Sequence, residues 1–133
     1  MTGLLIVSHS EEAAKGIAQI AVGMSGGGVE IAGVGGNDEG GLGVSVMKIY
    51  DELTLMLPNT DGVLIIPDLG SSVLSSRGAI EMLSPEDSAK VLIADAPILE
   101  GAMLGAVEAS CGASLEQVAE AAQEARNLKK LDR

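Results

Sequence analysis

The sequence predicts an α/β fold: an open, doubly wound parallel sheet of four strands with about five helices packed on its two faces. Three observations carry that expectation. Four short runs of branched apolar residues recur along the chain, each is followed by a segment of helical periodicity, and Gly, Pro and Asx residues punctuate the joints. The runs are Leu4-Leu5-Ile6-Val7, positions 29–34, Val63-Leu64-Ile65-Ile66 and Val91-Leu92-Ile93-Ala94. Strands that are apolar on both sides suit a sheet covered by helices on both faces, and strand-helix alternation implies right-handed crossovers between parallel neighbours.

After the first run, Ala14, Ile17, Ala18, Ala21 and Met24 share a helical face, and Ser8 three residues before Glu11 matches a capping box. After the second, Val46, Tyr50, Leu53 and Leu57 line one face until Pro58 forbids continuation, and Asn59-Thr60-Asp61-Gly62 supplies a turn. A third helix is expected from a cap at Ser71 or Ser72 to about Leu83, with Ser84-Pro85 at its exit. Pro97 suits the first turn of the fourth, which ends near Gly112. The fifth starts at Ser114, with Gln117 completing its box, and runs toward Leu128 with Leu115, Val118 and Ala122 facing inward. For so short an alternating chain the expected strand order is 2-1-3-4, flavodoxin-like, which opens a crevice between the carboxyl ends of the first and third strands.

At 133 residues the chain has the size of one domain with one core, so a single domain over 1–133 is expected. Phe and Trp are absent and Tyr50 is the only aromatic, which leaves Val, Ile, Leu, Ala and Met to build that core. A net charge of −11 with few, scattered cations excludes the clustered Lys and Arg of a nucleic-acid surface and favours basic partners, although solubility alone also accounts for it. Cys111 is the single cysteine and cannot form an internal disulfide, which points to a reducing compartment. No stretch approaches ~20 apolar residues, and the Met1-Thr2-Gly3 start lacks the basic residues of a signal peptide. A cytoplasmic location with no membrane contact is expected. One histidine and one cysteine offer no metal ligand set, the carboxylates lack calcium-loop spacing, and one tyrosine is poor provision for a flavin, so no metal or cofactor is expected.

The chemistry concentrates where the crevice should open. His9, the only histidine, follows the first strand at the start of a helix, and its ring is a nucleophile near neutral pH that can accept and release a phosphoryl group. Asp68 ends the third strand across the crevice, where a carboxylate on one ring nitrogen would fix the tautomer and free the other nitrogen to attack; opening a turn before Leu69-Gly70 is an equally good reading of it. Gly70, Ser71 and Ser72 open the next helix, whose N–H groups and dipole can hold phosphate oxygens without a lysine. Ser8 and Ser10 flank the histidine as further hydroxyl donors, one of them expected to cap the helix. The glycine-rich stretch 35–43, beginning Gly35-Gly36, lacks the Lys and Ser/Thr of a P-loop and reads as a flexible rim that could lend phosphate contacts, or as a turn.

The segments Ile6-Val7-Ser8-His9-Ser10, Pro67-Asp68-Leu69-Gly70-Ser71-Ser72-Val73-Leu74-Ser75 and Ala96-Pro97-Ile98-Leu99-Glu100-Gly101-Ala102 together resemble the phosphotransferase subunit of the phosphoenolpyruvate-dependent dihydroxyacetone kinase, whose domain is similar to the mannose-type enzyme IIA. The likeness spans essentially the whole chain. It implies a phosphocarrier: His9 would take phosphate from the histidine-containing phosphocarrier protein HPr and pass it to ADP on the nucleotide-binding kinase subunit, beside the dihydroxyacetone-binding subunit. It further implies Asp68 as the orienting partner of His9, Gly70 and Ser71 near the phosphate, and a homodimer. Val44 and Pro67 depart from the family's usual residues and leave His9 untouched.

A mannose-type sugar system is the nearest alternative, in which the same histidine would serve a sugar permease. A receiver-type signalling domain also ends its third strand in aspartate, but Ser8-His9-Ser10 stands where its acids belong. A hydrolase built on Ser71 or Ser72 lacks the G-x-S-x-G elbow.

Overall fold

The computed structural model describes residues 1–132. Strand β1 (Thr2–Ser8) is buried along its whole length, as its unbroken apolar run demands, and leads into helix α1 (Glu11–Ser25). There follow β2 (Ile31–Gly35), α2 (Val46–Met56), β3 (Gly62–Pro67), α3 (Gly70–Glu81), a single helical turn α4 (Pro85–Ser88), β4 (Val91–Ile93), α5 (Ile98–Ser110) and α6 (Leu115–Glu124). All strand pairs are parallel and the order is β2-β1-β3-β4, with Val7 opposite both Val34 and Pro67. The expected flavodoxin-like order is therefore the observed one. Among the described residues no helix is long and apolar enough to cross a membrane.

Alternation of side chains along the strands divides the core in two. Leu4, Ile6, Leu64 and Ile66 face α1, α5 and α6, which answer almost entirely with alanines such as Ala14, Ala18, Ala102, Ala106 and Ala122. Leu5, Val7, Val63 and Ile65 face α2 and α3 and meet larger partners, Ile49, Leu53 and Met56, with Ala79. Small side chains let helices lie close to a sheet, so a chain without Phe or Trp still fills its interior.

Several boundaries differ from expectation for identifiable reasons. Ser10, not Ser8, caps α1: its hydroxyl accepts from the Ala13 N–H, because Ser8 still belongs to the buried strand. Helix α3 starts at Gly70 with Leu69 as an N-cap that offers no side-chain bond, so Ser71 and Ser72 lie inside the first turn instead of capping it. Ser84 caps the extra turn α4, with Pro85 in its first position, where a plain exit was expected. Pro58 converts the end of α2 into a 3-10 turn over Leu57–Asn59, Pro97 stands at the N-cap of α5 one residue before the helix, and the sheet pairing of β2 begins at Ile31 and that of β4 ends at Ile93. The capping box of α6, Ser114 with Gln117, forms as expected.

Candidate functional site

Strands β1 and β3 are central neighbours, so the residues that leave their carboxyl ends emerge side by side. The Asp68 N–H donates to the Val7 carbonyl at 3.0 Å, continuing the ladder one step past the strand and aiming the carboxylate at the next residue of β1, which is followed by His9. The ring Nδ1 lies 3.0 Å from Asp68 Oδ1 and 3.2 Å from Oδ2. The His9 backbone N–H donates to Oδ2 at 3.0 Å as well, so one carboxylate holds both ring and backbone.

Three further donors saturate Asp68. The Ser8 hydroxyl donates to Oδ2 at 3.0 Å, and the Ser72 hydroxyl and Leu69 N–H donate to Oδ1 at 2.6 and 2.7 Å. Burial by itself pushes the Asp68 carboxyl up, but these bonds, first the Ser72 hydroxyl and then the His9 and Leu69 donors, outweigh it and bring the group down to about 2. The group is a carboxylate throughout the neutral range. An ionised carboxylate only accepts, so Nδ1 carries the ring hydrogen and the Nε2 lone pair is left outward.

Nε2 points at the start of α3, where the Ser71 hydroxyl donates to it at 2.6 Å. The ring retains 28% of its side-chain exposure against 17% for Asp68, so the free nitrogen is reachable while its anchor is screened. At this helix start, the backbone N–H groups of Gly70 and Ser71 have no hydrogen-bond partner among the described residues, and the helix lacks a side-chain cap. Uncapped N–H groups at the positive end of a helix form a cradle suited to an anion.

The remaining residues singled out from the sequence take other posts. Ser8 is buried and Ser72 fully so, and both hydroxyls are spent on Asp68; Ser10 caps α1. Gly35 and Gly36 do not reach the ring. A Cβ on Gly35 would stand 2.5 Å from the Ser10 carbonyl oxygen and 2.6 Å from that of Ser8, so the absence of a side chain lets the His9 segment lie against β2. Gly36 turns the chain with φ of 82°, a left-handed conformation.

The loop expected to be flexible is stapled instead. Asn37 Oδ1 accepts from the Glu39 and Gly41 N–H groups at 3.0 and 2.8 Å, its Nδ2 donates to the Leu42 carbonyl, and Lys48 Nζ donates to the Gly35 and Asn37 carbonyls. Gly43 N–H then closes on the His9 carbonyl at 2.9 Å. Sequence reasoning missed Asn37, Lys48 and Leu69. An asparagine among glycines is a turn-forming signal that could have marked Asn37, whereas backbone donors such as Leu69 N–H carry no residue-type signature.

A ring with one nitrogen held by a carboxylate and the lone pair of the other turned outward beside a helix start has the means to act as a nucleophile toward an anionic group. The family model described as PTS system fructose IIA component, the mannose-type enzyme IIA family, matches residues 3–119. The chain belongs to this family. Curated relatives of this enzyme IIA-type chain include the phosphoryl donor subunit of PEP-dependent dihydroxyacetone kinase 2 from Listeria innocua, 35% identical over 118 residues that cover 89% of this chain and 94% of that protein. The corresponding subunit from Escherichia coli is 34% identical over 89% of this chain, which spans only 25% of that longer protein. A solved structure described as a protein of unknown function is 36% identical and superposes with a TM-score of 0.81 over 92% of both chains. The EIIA component from Streptococcus agalactiae, 15% identical with a TM-score of 0.71 over 98% of this chain and 97% of its own, shares the fold.

Proposed function

We propose that this chain is the phosphoryl donor subunit of a phosphoenolpyruvate-dependent dihydroxyacetone kinase, a carrier that accepts a phosphoryl group from HPr on His9 Nε2 and delivers it to ADP held on the nucleotide-binding subunit. The observation that carries the reading is the division of labour on the ring, Nδ1 on Asp68 at 3.0 Å and Nε2 outward beside Ser71. In the loading step the Nε2 lone pair attacks phosphorus, the donor's P–N bond breaks, and its imidazole leaves with the electron pair. The hydrogen on Nδ1 stays between ring and carboxylate, where Asp68 offsets the positive charge of the phosphorylated ring. Ser71 must release Nε2 for this, and its hydroxyl and the Gly70 and Ser71 N–H groups then face the phosphoryl oxygens. Delivery reverses the chemistry: an ADP phosphate oxygen attacks, the Nε2–P bond breaks, and the lone pair returns to Nε2.

The relatives named above support dihydroxyacetone kinase over a sugar system, because the match to the Listeria innocua subunit runs nearly end to end in both proteins. A cytoplasmic homodimer, working with separate dihydroxyacetone-binding and nucleotide-binding subunits and without metal or cofactor of its own, completes the proposal. The test is incubation with phosphoenolpyruvate, enzyme I and HPr. One acid-labile phosphate per chain is expected, absent in His9→Ala, and discharged by ADP only when the nucleotide-binding subunit is present. Acid-stable label, or label that survives the substitution, overturns the reading; discharge to a sugar permease component instead would move the chain to the mannose-type alternative.

A further inference from the structure

We infer that Ser72 is a positioning residue for transfer through His9: its buried hydroxyl competes with the ring for Asp68 Oδ1, which tempers the carboxylate's hold on the phosphorylated ring and keeps the phosphoryl group deliverable. The inference rests on the phosphocarrier reading and adds the group that sets how tightly the phosphoryl group is kept.

Asp68 Oδ1 is the carboxylate oxygen nearer to the ring, 3.0 Å from Nδ1, and other donors share it. The Ser72 hydroxyl approaches it most closely, at 2.6 Å, followed by the Leu69 N–H at 2.7 Å. A hydroxyl has one hydrogen, and the short bond commits it to Oδ1. Ser72 Oγ therefore turns only lone pairs toward Nδ1, 3.3 Å away. The serine is fixed at this post: it is wholly buried, and its N–H donates to the Leu69 carbonyl at 3.0 Å. Ser8 acts differently. Its hydroxyl donates to Oδ2 and also accepts from the Ser10 N–H at 3.2 Å, so it ties the strand end to the start of α1 as well.

Donors on a carboxylate disperse its charge and weaken its pull on a further hydrogen. Burial pushes the Asp68 carboxyl up, and the Ser72 bond is the first of the contacts that reverse this and bring it down to about 2. The same dispersal matters when His9 is loaded. The Nε2–P bond forms, the donor's P–N bond breaks with its electron pair returning to the donor, and the ring, still carrying its Nδ1 hydrogen, becomes a cation. Asp68 stabilises that cation, and without the Ser72 hydroxyl it would stabilise it more. Delivery gives the charge up again, so a tempered carboxylate favours release. Other charged groups stand back from this control. Arg77 on α3 and Asp95 beyond β4 share a hollow with Asp68, Glu11 and Glu12 open α1, and Lys48 of α2 is turned onto the Gly35 and Asn37 carbonyls. Among the described residues none of these lies within ion-pair distance of Asp68 or His9.

The experiment sets Ser72→Ala beside Ser76→Ala. Ser76 lies one turn further along α3 and is wholly buried too, but its hydroxyl has no partner among the described residues. Its loss removes the same chemical group without touching Asp68. Each chain is equilibrated with phosphorylated HPr, and its discharge to ADP on the nucleotide-binding subunit is followed separately. Because Asp68 keeps its other donors, Ser72→Ala is expected to shift the equilibrium about three- to tenfold toward the phosphorylated chain and to slow discharge by a similar factor. Carbon NMR should show Asp68 titrating higher in that variant than in the parent. Ser76→Ala should change none of these readings. An equilibrium unchanged or shifted toward HPr, loading and discharge slowed alike, or an equal effect of Ser76→Ala overturns the inference. Should Ser72→Ala fail to fold, the parent chain decides: the NMR signal of the buried Ser72 hydroxyl hydrogen should move upfield on phosphorylation of His9, because the charged ring draws on the same oxygen. A signal that stays in place overturns the inference. Absence of acid-labile phosphate on the parent chain is a different result, which defeats the phosphocarrier reading and the inference with it.

Discussion

Two segments meet at His9, and they grip it differently. The junction between β3 and α3 reaches the ring: Asp68 holds Nδ1, Ser71 meets Nε2, and Ser72 fixes the carboxylate. The loop between β2 and α2 touches only the backbone, through the Gly43 N–H on the His9 carbonyl and through Gly35 packed beneath Ser8 and Ser10. The difference teaches that the β3–α3 junction holds the ring as well as the backbone of His9, whereas the loop contributes placement alone. Charge-bearing contacts come from the neighbouring central strand, while the glycine-rich segment, whose composition suggested a flexible rim or a turn, serves as a brace.

The sharpest way to break that distinction is at the carboxylate. Asp68→Asn keeps the shape of the side chain but can bond the wrong tautomer, so transfer through His9 should fall about a hundred- to ten-thousand-fold. Rapid-quench loading kinetics would show it, and a loss under threefold would mean that the ring is oriented by something else. At the brace, Gly35→Ala should destabilise the fold by about 1–3 kcal/mol in urea unfolding, since the new methyl collides with backbone that cannot rotate away. A variant as stable as the parent would show that the His9 segment is free to shift.

Acid titration probes the same carboxylate without changing the ring. Because the folded value of Asp68 lies at about 2, below its ordinary 3.8, the ionised group favours the folded state. This contribution, about 2 kcal/mol, is fully present above pH 4 and lost as pH falls toward 2. In Asp68→Asn that part of the acid-induced loss should vanish, and an unaltered acid profile would refute the assignment. The smallest effect is expected at Asn37→Ala, about 1 kcal/mol of stability, with loading from a small donor preserved. If that variant slowed small-donor loading as much as Asp68→Asn does, the loop would be part of the chemistry and the contrast would dissolve.

Much of the pairing of His9 with Asp68 was legible because both residues directly follow or end strongly apolar runs, and a parallel order places such ends together. The tasks of the serines were not legible. Ser8 and Ser72 read as phosphate ligands by residue type, yet they are buried with their hydroxyls on Asp68, a distinction that depends on which side of a strand end or helix turn faces inward. Ser10 took the cap assigned to Ser8 because strand pairing ran through position 8, opposite Gly35. The loop 35–43 read as flexible because composition records the glycines, whereas its order comes from one asparagine and one lysine meeting particular carbonyls.

What the sequence determined alone is the alternation of buried strands and amphipathic helices, and with it a parallel sheet whose carboxyl edge bears the one histidine. These follow from local periodicity, which each segment carries within itself. Only the tertiary structure decided which nitrogen of His9 is free and which hydroxyls serve the carboxylate, because Ser8 and His9 meet Asp68, Ser71 and Ser72 across about sixty residues of chain within a hydrogen bond.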